Sequence, residues 1–490
     1  MRHMKIKKVL NNSLFFSIGI FMGKAINMLL LPVYTRFLSE TEYGIASTIT
    51  SFCSTFSIVV ILSLRAALLR FYKEYDEEAR RDFVGTVIVV VGANSVLLCG
   101  GMLLLREKIC RLFFPGMTFF PYIFLGVLAL AFDAIYLLYQ SILQSRQDGK
   151  RYTLVNMLYM LLHVAFNLFY IVGLKMGATG MILGLLSANV AFSAWGIIDI
   201  LRRGYARFRF SGEMARKALA YSLPLIPHNL ATPLSNYAAK YILNISVSYA
   251  ATGLYTIATQ VNTILDMVQS AVHLAFRPWF NEQIENGIEG QKSIKEFALL
   301  AYTFFSIVCV GIALFSQELI YVMTDTPYHE AWKVVPILAI GLNVTFIYYT
   351  HVLPIMYDIK ASKYVFICSV SSCIINIGFS AMLIPLHGSY GAAVAYLVSK
   401  LYLSIITVVF SRRVRRIDFG LKTMLKQTVL CLIFIVSGLF YSSWHNIVEL
   451  DIINILIKLF VFSVAAMCFL LPYRNELIPF LRRLLKRRNS

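Results

Sequence analysis

The sequence predicts an all-α polytopic membrane protein of about 14 transmembrane helices, built as two six-helix bundles in parallel repeat plus two C-terminal helices. Three observations support this fold class. Hydrophobic residues make up 58% of the 490 residues and charged residues only 14%, with a mean hydropathy of +0.70. The apolar residues also fall in long runs, and a bilayer is crossed by about 20 apolar residues in a helix. Finally, the pattern of runs and loops repeats once along the chain.

The composition excludes several classes of protein. An ordinary soluble domain has about 25% charged residues and about 45–50% apolar ones, so a soluble enzyme, a disordered chain and a disulfide-stapled secreted module are all excluded. The eight cysteines are scattered without the spacing of metal ligands. Nucleotide loops, HExxH motifs and paired catalytic carboxylates do not occur. We therefore expect no enzyme, no cofactor and no metal site.

Fourteen apolar runs bounded by charged residues, glycine or proline give the predicted spans, which are 9–35, 44–70, 84–105, 116–144, 152–174, 178–201, 219–246, 252–276, 296–324, 333–357, 363–386, 390–411, 425–444 and 451–472. They group into four regions, which are an N-terminal bundle (1–210), a C-terminal bundle (211–416), two extra helices (417–473) and a basic tail (474–490). The first run follows a basic segment but leads to no cleavage site, so we interpret it as an uncleaved span.

The distribution of lysine and arginine predicts the orientation. With the N-terminus in the cytoplasm, the predicted inside segments contain 35 of the 45 basic residues and the outside loops contain six. A miscounted span would destroy this asymmetry. The net charge of +20 therefore indicates topology and contact with anionic membrane lipid, and it does not require nucleic acid. We expect a multi-pass protein of the bacterial cytoplasmic (inner) membrane with both termini in the cytoplasm.

An internal repeat links the two six-span sets. Gly177 and Gly180 match Gly388 and Gly391 at a separation of 211 residues. Thr41 and Thr252, each just before a span, have the same separation. Because six spans are an even number, both copies enter the membrane with the same polarity. This parallel arrangement is typical of alternating-access transporters.

Polar residues form stripes along several spans, at spacings of three, four or seven residues that place them on one helix face. One stripe alone fits a hydrogen-bonded contact between helices. Stripes on the related spans 1 and 7, and 2 and 8, favour a hydrated cavity between the two bundles. A charge at mid-membrane costs about 2.5–3.5 kcal/mol, so its presence indicates function. The predicted substrate-binding residues are Lys24, Lys240, Arg65, Lys400, Asn27, Asn229 and Asn236.

Two carboxylates and one further lysine need separate interpretations. Asp133 and Asp266 lie near mid-span, where each is either the partner of a cation or a site for the coupling ion, H⁺ or Na⁺. Lys458 lies inside the last span, and we expect its side chain to extend to the membrane surface.

Two segments carry a resemblance to a known family. LPVYTRFLSETEYGIAS (Leu31 to Ser47) and YSLPLIP (Tyr221 to Pro227) resemble bacterial polysaccharide-biosynthesis flippases. These are the Wzx-like O-antigen and capsule-unit translocases of the multidrug/oligosaccharidyl-lipid/polysaccharide exporter superfamily. The resemblance extends to the whole chain through its topology. It assigns no site residue, because the family has no invariant catalytic set.

The resemblance implies translocation of an undecaprenyl-pyrophosphate-linked oligosaccharide, a precursor of O-antigen, lipopolysaccharide or capsule. Intramembrane lysine and arginine suit such a diphosphate. Three alternatives stay open, namely a lipid-II flippase, a cation-coupled multidrug exporter of the same fold and a membrane-embedded glycan polymerase or ligase. The last would need a large outside loop, and the outside loops here are short. The expected partners are the lipid-linked oligosaccharide, anionic lipid and the glycan polymerase or assembly machinery, and we expect a monomer.

Overall fold

In the computed structural model, residues 22, 26, 28–444 and 450–473 are described, and every regular element among them is helical. These ranges contain the helices α1 (Leu31–Phe37), α2 (Glu40–Ile61), α3 (Leu64–Phe71), α4 (Glu77–Leu104), α5 (Arg106–Phe113), α6 (Phe124–Ser145), α7 (Gly149–Asn167), α8 (Gly177–Arg202), α9 (Gly212–Ser222), α10 (Ile226–Ser246), α11 (Tyr249–Gln283), α12 (Gly287–Leu314), α13 (Ser316–Met323), α14 (Val335–Tyr357), α15 (Ser362–Val414), α16 (Leu421–Trp444) and α17 (Ile452–Leu470). Short π-helical turns precede α6 and follow α7.

Ten helical segments in the described ranges are long and apolar enough to cross a membrane. One of them, α15, has 53 residues and contains two predicted spans, the eleventh and twelfth. The predicted seventh and eighth spans correspond to α10 and α11, which are not among the ten, because asparagine, serine and threonine interrupt their apolar character. Most of the predicted first span lies outside the described residues. The predicted fold class is confirmed.

The long helix α15 folds back on itself at Gly388. This glycine has a φ of +54°, a conformation that favours glycine. Two further observations show that the two arms lie side by side. The rings of Tyr364 and Phe410 stack with centroids 4.5 Å apart, and a Cβ on Gly391 would lie 2.2 Å from the Leu383 carbonyl oxygen. Gly177, the predicted equivalent of Gly388, also has a positive φ, +56°, so the repeat reproduces the turn.

The predicted second span, 44–70, is not one helix. It begins at a capping box, in which the Ser39 hydroxyl accepts from Glu42 N and the Glu42 carboxylate accepts from Ser39 N. It then breaks at Leu62 and Ser63, whose φ values are +55° and +54°. At the break, the Asn94 side chain donates to the carbonyls of Val59 and Val60, at 3.0 and 2.7 Å. Sequence periodicity missed this break because the residues around it continue the apolar run.

The chain forms two compact units. The first comprises the described residues up to Ile257 together with Ser369–Ala395, and the second comprises Ala258–Cys368 together with the described residues from Tyr396 onwards. The predicted boundaries at 210, 416 and 473 stay a prediction.

Aromatic side chains fill the core of the first unit. Phe52 of α2 lies at its centre, with ring centroids 4.2 Å from Phe56, 4.9 Å from Phe114 and 5.7 Å from Tyr237. Tyr237 belongs to α10, and its hydroxyl donates to the Phe113 carbonyl at 2.7 Å. This packing fixes α10 against α2 and so positions the polar residues of both helices.

Candidate functional site

Within the first unit, α10 runs antiparallel along α2 and bonds to it over nearly the whole length of α2. Serine, threonine and asparagine supply most of these contacts, as expected for helices that pack inside a membrane. Four hydrogen bonds join the two segments between Ser47 and Ser63. In that order, they are Lys240 Nζ to Ser47 O at 3.3 Å, Asn244 Nδ2 to Thr48 Oγ1 at 3.0 Å, Thr55 Oγ1 to Pro233 O at 3.1 Å and Asn229 Nδ2 to Ser63 Oγ at 3.1 Å. Part of the predicted polar stripe on α10 is therefore a helix contact.

Lys240 is the charged member of this contact. Its side chain is only 9% exposed, and its ammonium donates to the Ser47 carbonyl. No carboxylate of the described residues forms an ion pair with it. An ammonium has three donors, and a buried cation without a counter-charge is expensive in a membrane. The position is therefore suited to an anionic ligand.

A close crossing of α2 and α11 lies beside Lys240. A Cβ on Gly44 would lie 1.8 Å from the Tyr249 carbonyl oxygen, and one on Gly253 would lie 2.3 Å from the Glu40 carbonyl oxygen. Gly44 and Gly253 are 209 residues apart, as are Glu40 and Tyr249. The two glycine contacts are thus reciprocal, and only glycine permits such an approach.

A hydrogen bond joins the two helices at the centre of this crossing. The hydroxyls of Ser47 and Thr256, which are also 209 residues apart, lie 3.0 Å from each other. The sequence contained this signal as small residues at equal separation. The separation of 211 residues between Thr41 and Thr252 does not reveal the crossing.

The structure brings two other predicted residues together, Arg65 of α3 and Asp133 of α6. The Arg65 guanidinium donates through Nε to the Ser141 hydroxyl at 2.9 Å and interacts electrostatically with Asp133. Gln140 of α6 donates to Asn156 Oδ1 of α7 at 2.8 Å nearby. Both interpretations of Asp133, as the partner of a cation and as a site for the coupling ion, stay predictions.

Lys240 and Arg65 lie at opposite ends of α2. Lys240 bonds to Ser47, and Arg65 follows Ser63 by two residues. Sixteen residues separate Ser47 from Ser63, which corresponds to about 24 Å of helix at 1.5 Å per residue. One diphosphate cannot contact both cations at once, so they form two separate stations.

The remaining predicted residues are placed as follows. Lys24 and Asn27 lie outside the described residues. Asn236 is exposed on α10. In the second unit, Lys400 lies with its ammonium 5.0 Å from the centroid of the Tyr396 ring, and Asp266 interacts electrostatically with Tyr349. The substrate and coupling roles of all these residues stay predictions.

The expectation for Lys458 was wrong. Its side chain is fully buried in the second unit, where the ammonium donates to Glu318 at 2.7 Å and to Gln317 at 3.0 Å. Asn454 donates to the same Gln317 oxygen at 3.2 Å. The sequence pattern could not reveal this, because the partners lie 140 residues earlier in the chain, on α13.

The family can now be assigned. A family model described as "Polysaccharide biosynthesis protein" matches residues 9–283, more than half of the chain. The chain belongs to this family. The match confirms the resemblance that the sequence predicted, and it extends well beyond the two segments that carried it.

The chain is also similar to several known proteins, and these similarities are consistent with the family assignment. A protein of the Lsg locus of Haemophilus influenzae is 23% identical over 317 residues, which cover 62% of this chain and 73% of the relative. The lipid II flippase MurJ, in an inward closed conformation, superposes with a TM-score of 0.70 at 18% identity, covering 94% of this chain and 99% of MurJ. An inward-facing multidrug resistance MATE transporter of the MOP superfamily gives 0.66 at 14% identity, covering 83% and 96%. The chain is a multi-pass membrane protein with the fold of flippases and exporters.

Proposed function

We propose that this family member moves a lipid-linked oligosaccharide, joined to undecaprenol through a diphosphate, from the inner to the outer leaflet of the bacterial cytoplasmic membrane by alternating access. The observation that carries the proposal is the buried ammonium of Lys240, which no carboxylate of the described residues neutralises. A diphosphate supplies the missing negative charge. A drug exporter for cations would need the opposite charge at this place.

The two cationic stations near the two ends of α2 suggest how the diphosphate crosses. Arg65 lies near the end of α2 that the lysine and arginine distribution places in the cytoplasm, and Lys240 lies near the other end. An anion that passes from one to the other travels about 24 Å, most of the thickness of the hydrocarbon core. The substrate-binding roles predicted for Lys24, Asn27 and Lys400 are part of the same proposal.

The crossing of α2 and α11 at Gly44 and Gly253 fits the outer closure of such a transporter. In the proposed orientation it lies at the outer end of both helices, next to Lys240. Its surfaces meet through backbone and small side chains, so they can separate without leaving large unfilled cavities.

The coupling of transport to an ion gradient is a separate part of the proposal. Asp133, which interacts electrostatically with the Arg65 cation, and Asp266 are the two candidates for binding H⁺ or Na⁺. Asp266→Asn should abolish gradient-driven transport and leave substrate binding intact. Equal loss of binding would instead favour the role of ion-pair partner for Asp266.

A second cargo, lipid II, is favoured by the similarity to MurJ over 94% of this chain. It offers the same diphosphate to the same cations, so the site alone does not separate the two. The expected assembly partners are the enzymes that polymerise the glycan outside the membrane. The flippase itself is expected to be a monomer.

Deletion followed by lipid analysis tests the proposed cargo. Loss of the protein should cause one undecaprenyl-diphosphate-linked oligosaccharide to accumulate in the inner leaflet, and the wild-type chain should clear it. Lys422→Gln, which changes an exposed cation that belongs to neither station, is the control and should also clear it. Accumulation of lipid II would transfer the assignment to the second cargo, and unchanged lipid intermediates would refute both.

A further inference from the structure

One end of the second unit gathers the ends of several helices. The Arg415 guanidinium at the end of α15 donates to the Ile284 carbonyl just after α11, at 3.4 Å. It also lies over the ring of Tyr357, the last residue of α14. The Tyr357 hydroxyl donates to Glu285 at 3.1 Å. The short segment 415–420 between α15 and α16 lies at this end, which the lysine and arginine distribution places in the cytoplasm.

A concave pocket of about 670 Å³ opens there. Three arginines, one histidine, one aspartate and an aromatic ring are its main lining residues, which are Arg412, Arg413, Arg416, His351, Asp418 and Phe419. Phe419 and His351 are buried, with ring centroids 4.8 Å apart, and form its apolar part. The arginine side chains are exposed.

The charges in this pocket do not balance. Asp418 is the one carboxylate among the lining residues, and it is already paired with Lys295 at 2.6 Å. The Lys295 ammonium and the Gly420 N–H hold the pKa of the Asp418 carboxyl below its usual value, so the group is ionised at neutral pH. Arg412 and Arg416 form no ion pair with any carboxylate of the described residues. The pocket therefore keeps an excess of positive charge.

Geometry selects the kind of anion. Guanidinium groups bind phosphate through paired N–H donors, which an ammonium cannot do. The three arginines line a cavity within the size range of small-molecule sites. A surface that only attracts anionic lipid would not need a cavity or a buried aromatic floor.

We propose that this pocket, lined by Arg412, Arg413 and Arg416, binds a phosphate ester at the cytoplasmic end of the second unit. The phosphate belongs either to the headgroup of an anionic phospholipid or to a soluble phosphate compound. The same arginines would contact it in both cases, and the lipid would add contact between its glycerol and Phe419.

Binding measurements on the full-length protein in neutral detergent test this proposal. The probes are dioctanoyl phosphatidylglycerol, inorganic phosphate and dioctanoylglycerol, which has no phosphate. Arg412→Gln with Arg416→Gln should weaken phosphate-probe binding about tenfold or more. The matched control is Lys422→Gln with Lys426→Gln, which removes two exposed cations of α16 that do not line the pocket, and binding should be unchanged.

A variant that binds the phosphate probe more tightly would show that weaker binding in the arginine variants does not result from misfolding. Asp418→Asn removes the carboxylate and releases Lys295, so it should tighten binding of the same probe several-fold. Binding of phosphatidylglycerol alone assigns the site to a lipid headgroup, and binding of inorganic phosphate alone assigns it to a soluble compound. Equal weakening by the control pair, binding of dioctanoylglycerol as strong as that of phosphatidylglycerol, or no binding of any probe would overturn the proposal.

Discussion

Replacing Lys240 by methionine separates a substrate-binding role from a structural one. The methionine side chain has nearly the same length, and the change leaves no carboxylate unpaired, because none of the described residues forms an ion pair with Lys240. A buried charge costs about 2.5–3.5 kcal/mol in a membrane. The hydrogen bond to the Ser47 carbonyl returns about 1.5–3 kcal/mol. The free energy of unfolding of Lys240→Met should therefore differ from that of the wild type by about −0.5 to +2 kcal/mol, where a positive value means that the variant is more stable.

Transport should respond differently. If the ammonium contacts the diphosphate in the transition state, its loss lowers the rate roughly tenfold or more. Thermal unfolding in detergent measures the first effect, and clearance of the accumulated lipid intermediate measures the second. Lys240→Arg keeps the charge and should retain part of the transport. A stable Lys240→Met protein with wild-type clearance would refute the binding role, and a loss of several kcal/mol in stability would refute our account of the site.

Three further predictions follow from contacts of the structure. Gly253→Ala places a Cβ 2.3 Å from a backbone carbonyl, so it should weaken the α2–α11 crossing, measured as a lower yield of disulfide between cysteines introduced at Ser47 and Thr256. Lys458→Ala should destabilise the protein by about 3–5 kcal/mol because it removes the buried cation that pairs with Glu318, whose side chain is only 15% exposed. Lys458→Met combined with Glu318→Leu should restore most of the unfolding temperature. A cysteine at position 207 should be inaccessible to impermeant reagents from outside intact cells, and labelling there would reverse the proposed orientation.

The sequence and the structure agree where the membrane itself sets the rule. Long apolar runs had to be helices, because a lipid environment leaves backbone groups no partners except those inside the helix. The glycines at 177 and 388, matched by their separation along the chain, both have a positive φ in the structure. Local rules failed at Leu62 and Ser63, where the helix breaks inside an apolar run. The break depends on the Asn94 amide of another helix, which no local pattern in α2 can reveal.

By itself, the sequence determined the fold class, the repeat, the family resemblance and the presence of cations inside the membrane. These properties depend on composition and on spacing along one helix, and both are written in the chain. Only the tertiary structure decided which polar groups meet. It showed that Lys458 is paired with Glu318, whereas the Lys240 ammonium donates to a carbonyl and has no carboxylate among the described residues to neutralise it. It also showed that Arg65 interacts with Asp133, at a distance from the Lys240 station of about 24 Å along the helix. The energy of a buried charge depends on its partner across space, so the same residue type is structural at one position and available to a ligand at another.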